Sequence, residues 1–288
     1  MIAHVAEASE NSGRVVFQLT AHRPAAPAAL TAALCVARSF NAGLESLVAE
    51  DPQLLDFARF SFAREMTSGG GEPLAVSADD IEASLQHLAV SLHSTVAEAA
   101  HRASVPLHCR TLRDDPASAI AAACIENGPW NVAVLAQAVT VETQQHVAGL
   151  FEAVSDVTGI VVVGGDQGQT AGPVVAIVEH MSHVQPMLRA AQRLASGSDG
   201  EVHLIVFGGN GDETAWMEGQ VRLLLGGAAA PDLILSPETY ASPQMLAGFL
   251  TTIGAGFVIA KLDGALLPED GGLYDFASQH GGPLFLVR

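Results

Sequence analysis

Positive charge is scarce in this chain. Thirteen Lys and Arg residues stand against 31 Asp and Glu, a formal net charge of −18 over 288 residues. The basic residues are scattered singly, so no patch is expected that could track a phosphate backbone, and nucleic acid is excluded as a partner. Cysteine is also rare. Cys35, Cys109 and Cys124 are odd in number, far apart and each in an apolar segment. That suits buried structural thiols in a reducing compartment better than a disulfide framework. Arg110 beside Cys109 is the one basic neighbour that could activate a thiol. No apolar run reaches the roughly 18 residues of a membrane helix. The opening stretch, MIAHVAEASENSGR, lacks the basic start and apolar core of a signal peptide. A membrane partner is therefore not expected, and the cytoplasm is the expected location. G-x-S-x-G, H-E-x-x-H and C-x-x-C are all missing, and no nucleophile stands beside an obvious base, which points away from an enzyme.

What the chain does have is apolar side chain. It is 49% hydrophobic and 15% charged, enough to bury a sizeable core. The stretch 159–180, GIVVVGGDQGQTAGPVVAIVEH, organises the rest. Two Val/Ile-rich runs, 160–164 and 174–179, are bounded by glycine and expected to be buried strands. The polar, glycine-rich connector between them has the composition of a domain seam.

The first half alternates strands with helices. Strands are expected at 14–20, 44–49, 105–112, 131–136 and 160–163. Pro24 and Pro27 suit the start of a helix that stops near Asn41-Ala42-Gly43. Residues 51–80 are irregular, with a helix over DPQLLDFARFSFARE followed by a loop, SGGGEPLAVS. Ser77 and Asp80 form a capping pair for the clearest amphipathic helix, on which Ile81, Leu85, Leu88, Leu92, Val96 and Ala99 or Ala100 share a face. Asp114-Asp115-Pro116 opens another helix, and Val147, Leu150, Phe151 and Val154 mark the next. Most Met and Phe residues are expected in the core. The second half repeats the order, with strands at 174–179, 202–207, 232–235, 257–260 and 283–287. Helices are marked by Val184, Met187, Leu188, Ala191 and Leu194, by 216–225, by Ser242-Pro243 through Ile253, and by 273–279. Crossover lengths match between the halves, except that strand two to strand three takes about 60 residues in the first and about 30 in the second. An internal duplication accounts for this, with 51–80 an elaboration of the first copy.

Two segments carry a family resemblance. The helix SADDIEASLQHLAVSLHSTVAEAAHRASVPLHCRTL runs through V-P into strand three, and ASQHGGPLFLVR closes the chain. Both resemble the universal stress protein (UspA-like) family, over about 14–164 and 172–288. The resemblance implies an α/β fold of two tandem flavodoxin-like, Rossmann-like domains. Each would be a five-stranded parallel sheet of order 3-2-1-4-5 with helices on both faces. The two would join through their fifth strands as an internal pseudo-dimer, and a homodimer of the whole chain and an unidentified protein are the further expected partners. The implied function is a stress-response binding or regulatory module.

ATP-binding members of that family carry an acidic residue at the end of strand one. After strand four they carry G-x-x-G and, about nine residues on, G-S or G-T. Such glycines admit backbone N–H groups to phosphates. In the first copy the acidic position is Thr20, and AQAVTVETQQHVAG has no glycine until Gly149, so ATP binding is expected to be lost there. In the second copy Glu179 holds the acidic position. Gly264, Gly271 and Gly272 follow strand four at altered spacing, without the final G-S/T, which leaves ATP as a weakened ligand or none. The candidate ligand-binding residues are Glu179, His180, Gly208, Gly264 and Gly271. Gly208 opens GGNGDE, a strand-to-helix turn that lacks the Lys-Ser/Thr of a phosphate loop and whose Asp212 and Glu213 would repel one. Glu179, His180 and His183 form E-H-x-x-H at the carboxyl end of a strand, where open α/β sheets bind ligands, with His22 near the matching point of the first half. Helix-capping polarity, a polar ligand cleft, a zinc site and an α/β enzyme with a catalytic Glu/His pair are the readings open for it.

Overall fold

Runs of Val, Ile, Leu and Ala too short for helices pair edge to edge into one sheet. The computed structural model describes residues 13–20, 24–50, 52–60, 62–65, 74–126, 130–153, 158–165, 168–198, 200–207, 211–225, 232–235, 242–268 and 272–288. In chain order its elements are β1 (Arg14–Thr20), α1 (Pro27–Ser39), β2 (Gly43–Ala49), α2 (Pro52–Ala58), β3 (Arg64–Glu65), β4 (Leu74–Ala75), α3 (Ala78–Arg102), β5 (Leu107–Leu112), α4 (Pro116–Ile125), β6 (Asn131–Ala138), α5 (Val141–Ala153) and β7 (Gly159–Val163). There follow β8 (Val174–Val178), α6 (Met181–Ser198), β9 (Val202–Val206), α7 (Gly211–Leu225), β10 (Asp232–Leu235), α8 (Pro243–Thr252), β11 (Phe257–Lys261), α9 (Leu273–His280) and β12 (Pro283–Val287).

The ten-stranded sheet runs β10-β9-β8-β11-β12-β7-β6-β1-β2-β5. Each half therefore has its third, second, first, fourth and fifth strands in that spatial order. Every neighbouring pair is parallel except β12 and β7, which meet antiparallel. Around Phe285 opposite Val161 the pairing is symmetric, with Pro283 opposite Val163 and Val287 opposite Gly159. Equivalent strands related by a two-fold axis pair in this way.

Helices cover both faces, as parallel strands buried on two sides require. On one face Ala29, Ala33 and Val36 of α1, Ala89 and Val96 of α3, Val184, Met187 and Leu194 of α6, and Met217 and Val221 of α7 share one core. On the other, α4, α5, α8 and α9 contribute Ile120, Leu150, Phe151, Leu250 and Phe276. Both cores run unbroken past the β7–β12 seam. There α1 packs on α6, with Arg193 over the Phe40 ring at 5.7 Å and Phe40 stacked on Trp130 at 4.9 Å. Helix starts follow local chemistry. Ser77, Asp115 and Ser242 are N-caps whose side chains accept from backbone N–H groups of the first turn, and Asn41 takes a positive φ of 52° just after α1.

Three expectations are corrected. The helix over 51–65 ends at Ala58, and Arg64–Glu65 pairs antiparallel with Leu74–Ala75, so part of the expected loop is a hairpin strand. That pairing is between backbones nine or more residues apart, which periodicity does not encode. Phe57, Phe60 and Phe62 are 50–69% exposed, not core. The α2 helix buries Leu55 and Ala58 and packs on α3, which leaves Phe57 on its outer side, and Phe60 and Phe62 follow in the segment beyond its end. Cys109 is exposed and Cys35 half-buried; only Cys124 is fully buried. Cys109 lies on β5, which among the described residues has a neighbouring strand on one side alone. Burial pushes the Cys109 thiol up, so Arg110 does not activate it; Arg110 is held instead by Glu126 at 2.6 Å.

Candidate functional site

The parallel pairing of β8 with β11, Val174 opposite Phe257 and Ala176 opposite Ile259, brings their carboxyl ends together. Glu179 follows β8, and the loop 262–268 follows β11. The loop is fixed from below by Leu266 and Leu267, both fully buried, and Asp263 takes a φ of 60° so that its N–H can reach the Leu267 carbonyl at 3.0 Å. Two of its N–H groups face the residue that follows β8. The Ala265 N–H donates to Glu179 Oε2 at 2.7 Å and the Leu266 N–H to Oε1 at 3.0 Å. A Cβ on Gly264 would overlap the carboxylate, with Cδ at 2.7 Å, so any larger residue there would displace Glu179 from these donors. Glu179 and Gly264 thus do come together, but as a carboxylate bound to its own chain.

His180 is exposed and its Nδ1 lies 2.9 Å from Ser182 Oγ and 3.3 Å from the Ser182 N–H, which it accepts at the start of α6. The His183 ring lies 5.9 Å from that of His180. Burial first, then the positive charge of Lys261 and the proximity of His180, push His183 below the usual imidazole range, so it is neutral at pH 7. Glu179, His180 and His183 therefore point to three different tasks. Among the described residues no three His, Cys, Asp or Glu side chains are grouped to hold a metal ion. Gly208, Gly271 and His22 lie outside the described residues.

At the matching corner of the first half, Gln137 Nε2 donates to Thr20 Oγ1 at 2.8 Å. In both halves, then, the chain at the carboxyl end of strand one is tied to the chain at the carboxyl end of strand four: Thr20 to Gln137 within the strands, Glu179 to the loop just beyond them. Downstream, the Tyr274 N–H in the first turn of α9 donates to Gln144 Oε1 of α5 at 3.1 Å. Three residues of this region went unnoticed in the sequence: Gln137, Gln144 and Lys261. Lys261 had a signal, being the chain's single lysine and the last residue of an apolar strand. The glutamines had none, since their partners lie 117 and 130 residues away.

Because charged acceptors make the stronger hydrogen bonds, Glu179→Ala is expected to cost about 2 kcal/mol by leaving two N–H groups unpaired. Urea unfolding measures this, and a loss under about 0.5 kcal/mol would show that the loop holds its shape without the carboxylate.

Comparison with solved structures decides the architecture. A universal stress protein from Archaeoglobus fulgidus superposes with a TM-score of 0.65 at 15% identity, over 96% of this chain and 97% of that one. The chain has the universal stress protein fold. A putative universal stress protein from Pseudomonas aeruginosa shares the fold with a TM-score of 0.55 at 12% identity, covering 95% of this chain and 92% of that one. The cytoplasmic domain of a prokaryotic cation chloride cotransporter shares it with a TM-score of 0.56 at 10% identity, over 96% and 95%. No family model matches the sequence, and no curated protein matches it. Among the described residues no helix is long and apolar enough to cross a membrane.

Proposed function

We propose that the chain is a tandem universal stress protein, a cytoplasmic, non-enzymatic binding or regulatory module of the stress response in which ATP binding is weakened or lost. Its two domains are residues 14–164, elaborated by 51–80, and 172–288, joined as an internal pseudo-dimer. The repeated strand order and the symmetric β7–β12 pairing support that division. The loss of ATP binding is carried by one observation: the N–H groups of Ala265 and Leu266 already bond the Glu179 carboxylate. Backbone N–H groups on such a loop are what a phosphate would use. A carboxylate on those donors both occupies them and repels an anion. The Gln144 bond to the Tyr274 N–H removes one more donor at the adjacent helix start.

Calorimetric titration and thermal unfolding with ATP and Mg²⁺ test the reading. A ligand at 100 times its Kd adds about 2.7 kcal/mol to stability, several degrees in a chain of this size. The expected shift at about 5 mM ATP is under about 1 °C; a Kd below about 50 µM would overturn the proposal. A second reading, a nucleotide or small anionic ligand held in the second half with slow hydrolysis, draws support from Lys261, whose positive charge reaches His183, and from His180, next to Glu179 in the chain. It predicts the larger shift, dependent on Lys261.

A further inference from the structure

The short helix α9 buries one stripe, Leu273, Phe276, Ala277 and His280, at the i, i+3, i+4 and i+7 positions. The last place in that stripe belongs to an imidazole instead of an apolar side chain. A point beside Gly282, where a Cβ would stand, lies 2.7 Å from His280 Nε2 and 3.1 Å from the carbonyl oxygens of both Gln169 and Gly256. The ring is thus packed against the connector and the turn before β11, yet neither of its nitrogens has a hydrogen-bond partner among the described residues. The elements packed most closely on α9 are α8, α5 and β7. Neither α8 nor β7 carries a titratable side chain, nor do 168–172, 254–256 and 281–282. Glu142, His146 and Glu152 of α5 are exposed, as are Tyr274 and Asp275 of α9 itself. Burial alone shifts the ring, and no carboxylate among the described residues faces it to hold a proton in place.

Protonation turns both ring nitrogens into donors. Within the junction the acceptors at hand are the two carbonyls on the Nε2 side, while Nδ1 stays buried and unmatched. A buried cation without partners costs far more than a solvated one, so the charged ring favours solvent. The fold gives it a way out. Gly272 and Gly281 bracket the eight residues of α9 with φ of 90° and 76°, backbone that a side chain would strain, and each gives the helix a pivot. Two long hydrogen bonds tie its far end: Thr251 Oγ1 donates to the Gln279 carbonyl at 3.2 Å and the Gly164 N–H to the Gly282 carbonyl at 3.3 Å.

We propose that α9 is an acid-released latch on the join between the two halves: when His280 takes up a proton, α9 swings away from the connector and from the end of β7 as a unit, while the rest of the sheet stays folded. Release also parts the Tyr274 N–H from Gln144, so acid loosens the contact of α9 with α5 as well. The proposal is independent of the nucleotide reading. Amide hydrogen exchange of the full chain, read by mass spectrometry and corrected for its intrinsic pH dependence, tests it. Near neutral pH the α9 amides are expected to exchange at least about 10-fold faster than those of β1, and without dependence on about 1 M urea, the mark of a local opening. Because the ring titrates near 6.5 when free and at about 4 when latched, the opening becomes about 40-fold more frequent between pH 6.5 and about 4.5. In His280→Gln it changes less than about 3-fold over the same range. If α9 and β1 exchange at one rate and respond alike to urea, the proposal is overturned, since the histidine then acts only through global unfolding. An α9 opening without an acid response overturns it too, as does an acid response that His280→Gln retains. Should that variant not fold, as circular dichroism would reveal, the comparison of α9 with β1 in the wild type across the pH range decides by itself.

Discussion

Gly164→Ala is expected to destabilise the protein by about 3 kcal/mol, among the largest effects of a single added methyl group at the described glycines. Gly164 follows β7, where the chain leaves the seam strand beneath α9. A Cβ there would overlap the Ala277 carbonyl oxygen and carbon, and would lie 3.1 Å from the Gly281 Cα. All three neighbours are backbone atoms. A flexible side chain could swing aside, but here α9 itself must move, and with it Phe276 and Ala277, both fully buried in the second core. The Gly164 N–H also donates to the Gly282 carbonyl at 3.3 Å, so displacing α9 strains the β7–β12 pairing at the same time. Denaturant unfolding of Gly164→Ala measures the effect. Gly149→Ala is the control: Gly149 sits in α5 with open space where its Cβ would be. There the added methyl should be neutral or stabilise by up to about 1 kcal/mol, because alanine is the better helix former. A Gly164→Ala cost no larger than about 1 kcal/mol would mean that α9 is not seated on this turn as the geometry requires.

The second large effect is a loss of stability in mild acid that depends on one histidine. His280 ends α9 and is 7% exposed. Its Nε2 lies against Gly282, and neither ring nitrogen has a hydrogen-bond partner among the described residues. Burial alone pushes its pKa down from 6.5 to about 4. A histidine depressed in the fold is neutral there and binds its proton more readily in the unfolded chain. Its contribution is therefore fully present above pH 6.5 and is lost as the pH falls from 6.5 toward 4. The gap of about 2.5 pH units, at 1.36 kcal/mol each, corresponds to about 3 kcal/mol. His280→Gln cannot titrate. Unfolding free energies measured from pH 7 to about 4.5 should fall by about 2–3 kcal/mol less in the variant than in the wild type. Equal slopes for both proteins would show that the buried ring does not govern the acid response.

Both effects arise where the connector 164–172 meets 254–256 and 281–282, and there the sequence was only partly informative. Composition marks the connector as a polar, glycine-rich domain seam. In the fold the glycines here are sites of close backbone approach: a Cβ on Gly256 would lie 2.8 Å from the Thr170 carbonyl, and one on Gly282 would lie 3.1 Å from the Gln169 carbonyl. Composition cannot separate a glycine chosen for freedom from one chosen for lack of a side chain, because the difference lies in the neighbour.

The same division holds at the candidate site. Glu179 was legible, since a carboxylate at the carboxyl end of a strand is a local feature. What it binds was not: Ala265 lies 86 residues further along the chain. Expected as a ligand group, it is a hydrogen-bond acceptor for the loop that would otherwise present the donors. His180 kept a local role on Ser182, while His183 was set neutral by burial and by Lys261.

By itself the sequence determined the alternation of strands and helices, the caps at Ser77, Asp115 and Ser242, and the apolar faces on Val184–Leu194 and Val147–Phe151. Each depends on periodicity or on bonds within one helical turn, and both are written in consecutive residues. Tertiary structure alone decided that Glu179 closes onto the loop after β11, that His280 is buried without a hydrogen-bond partner among the described residues, and that Trp216 remains outside. Those outcomes depend on which distant backbone comes to lie beside each side chain. Pairing β8 with β11 is what sets Glu179 against that loop.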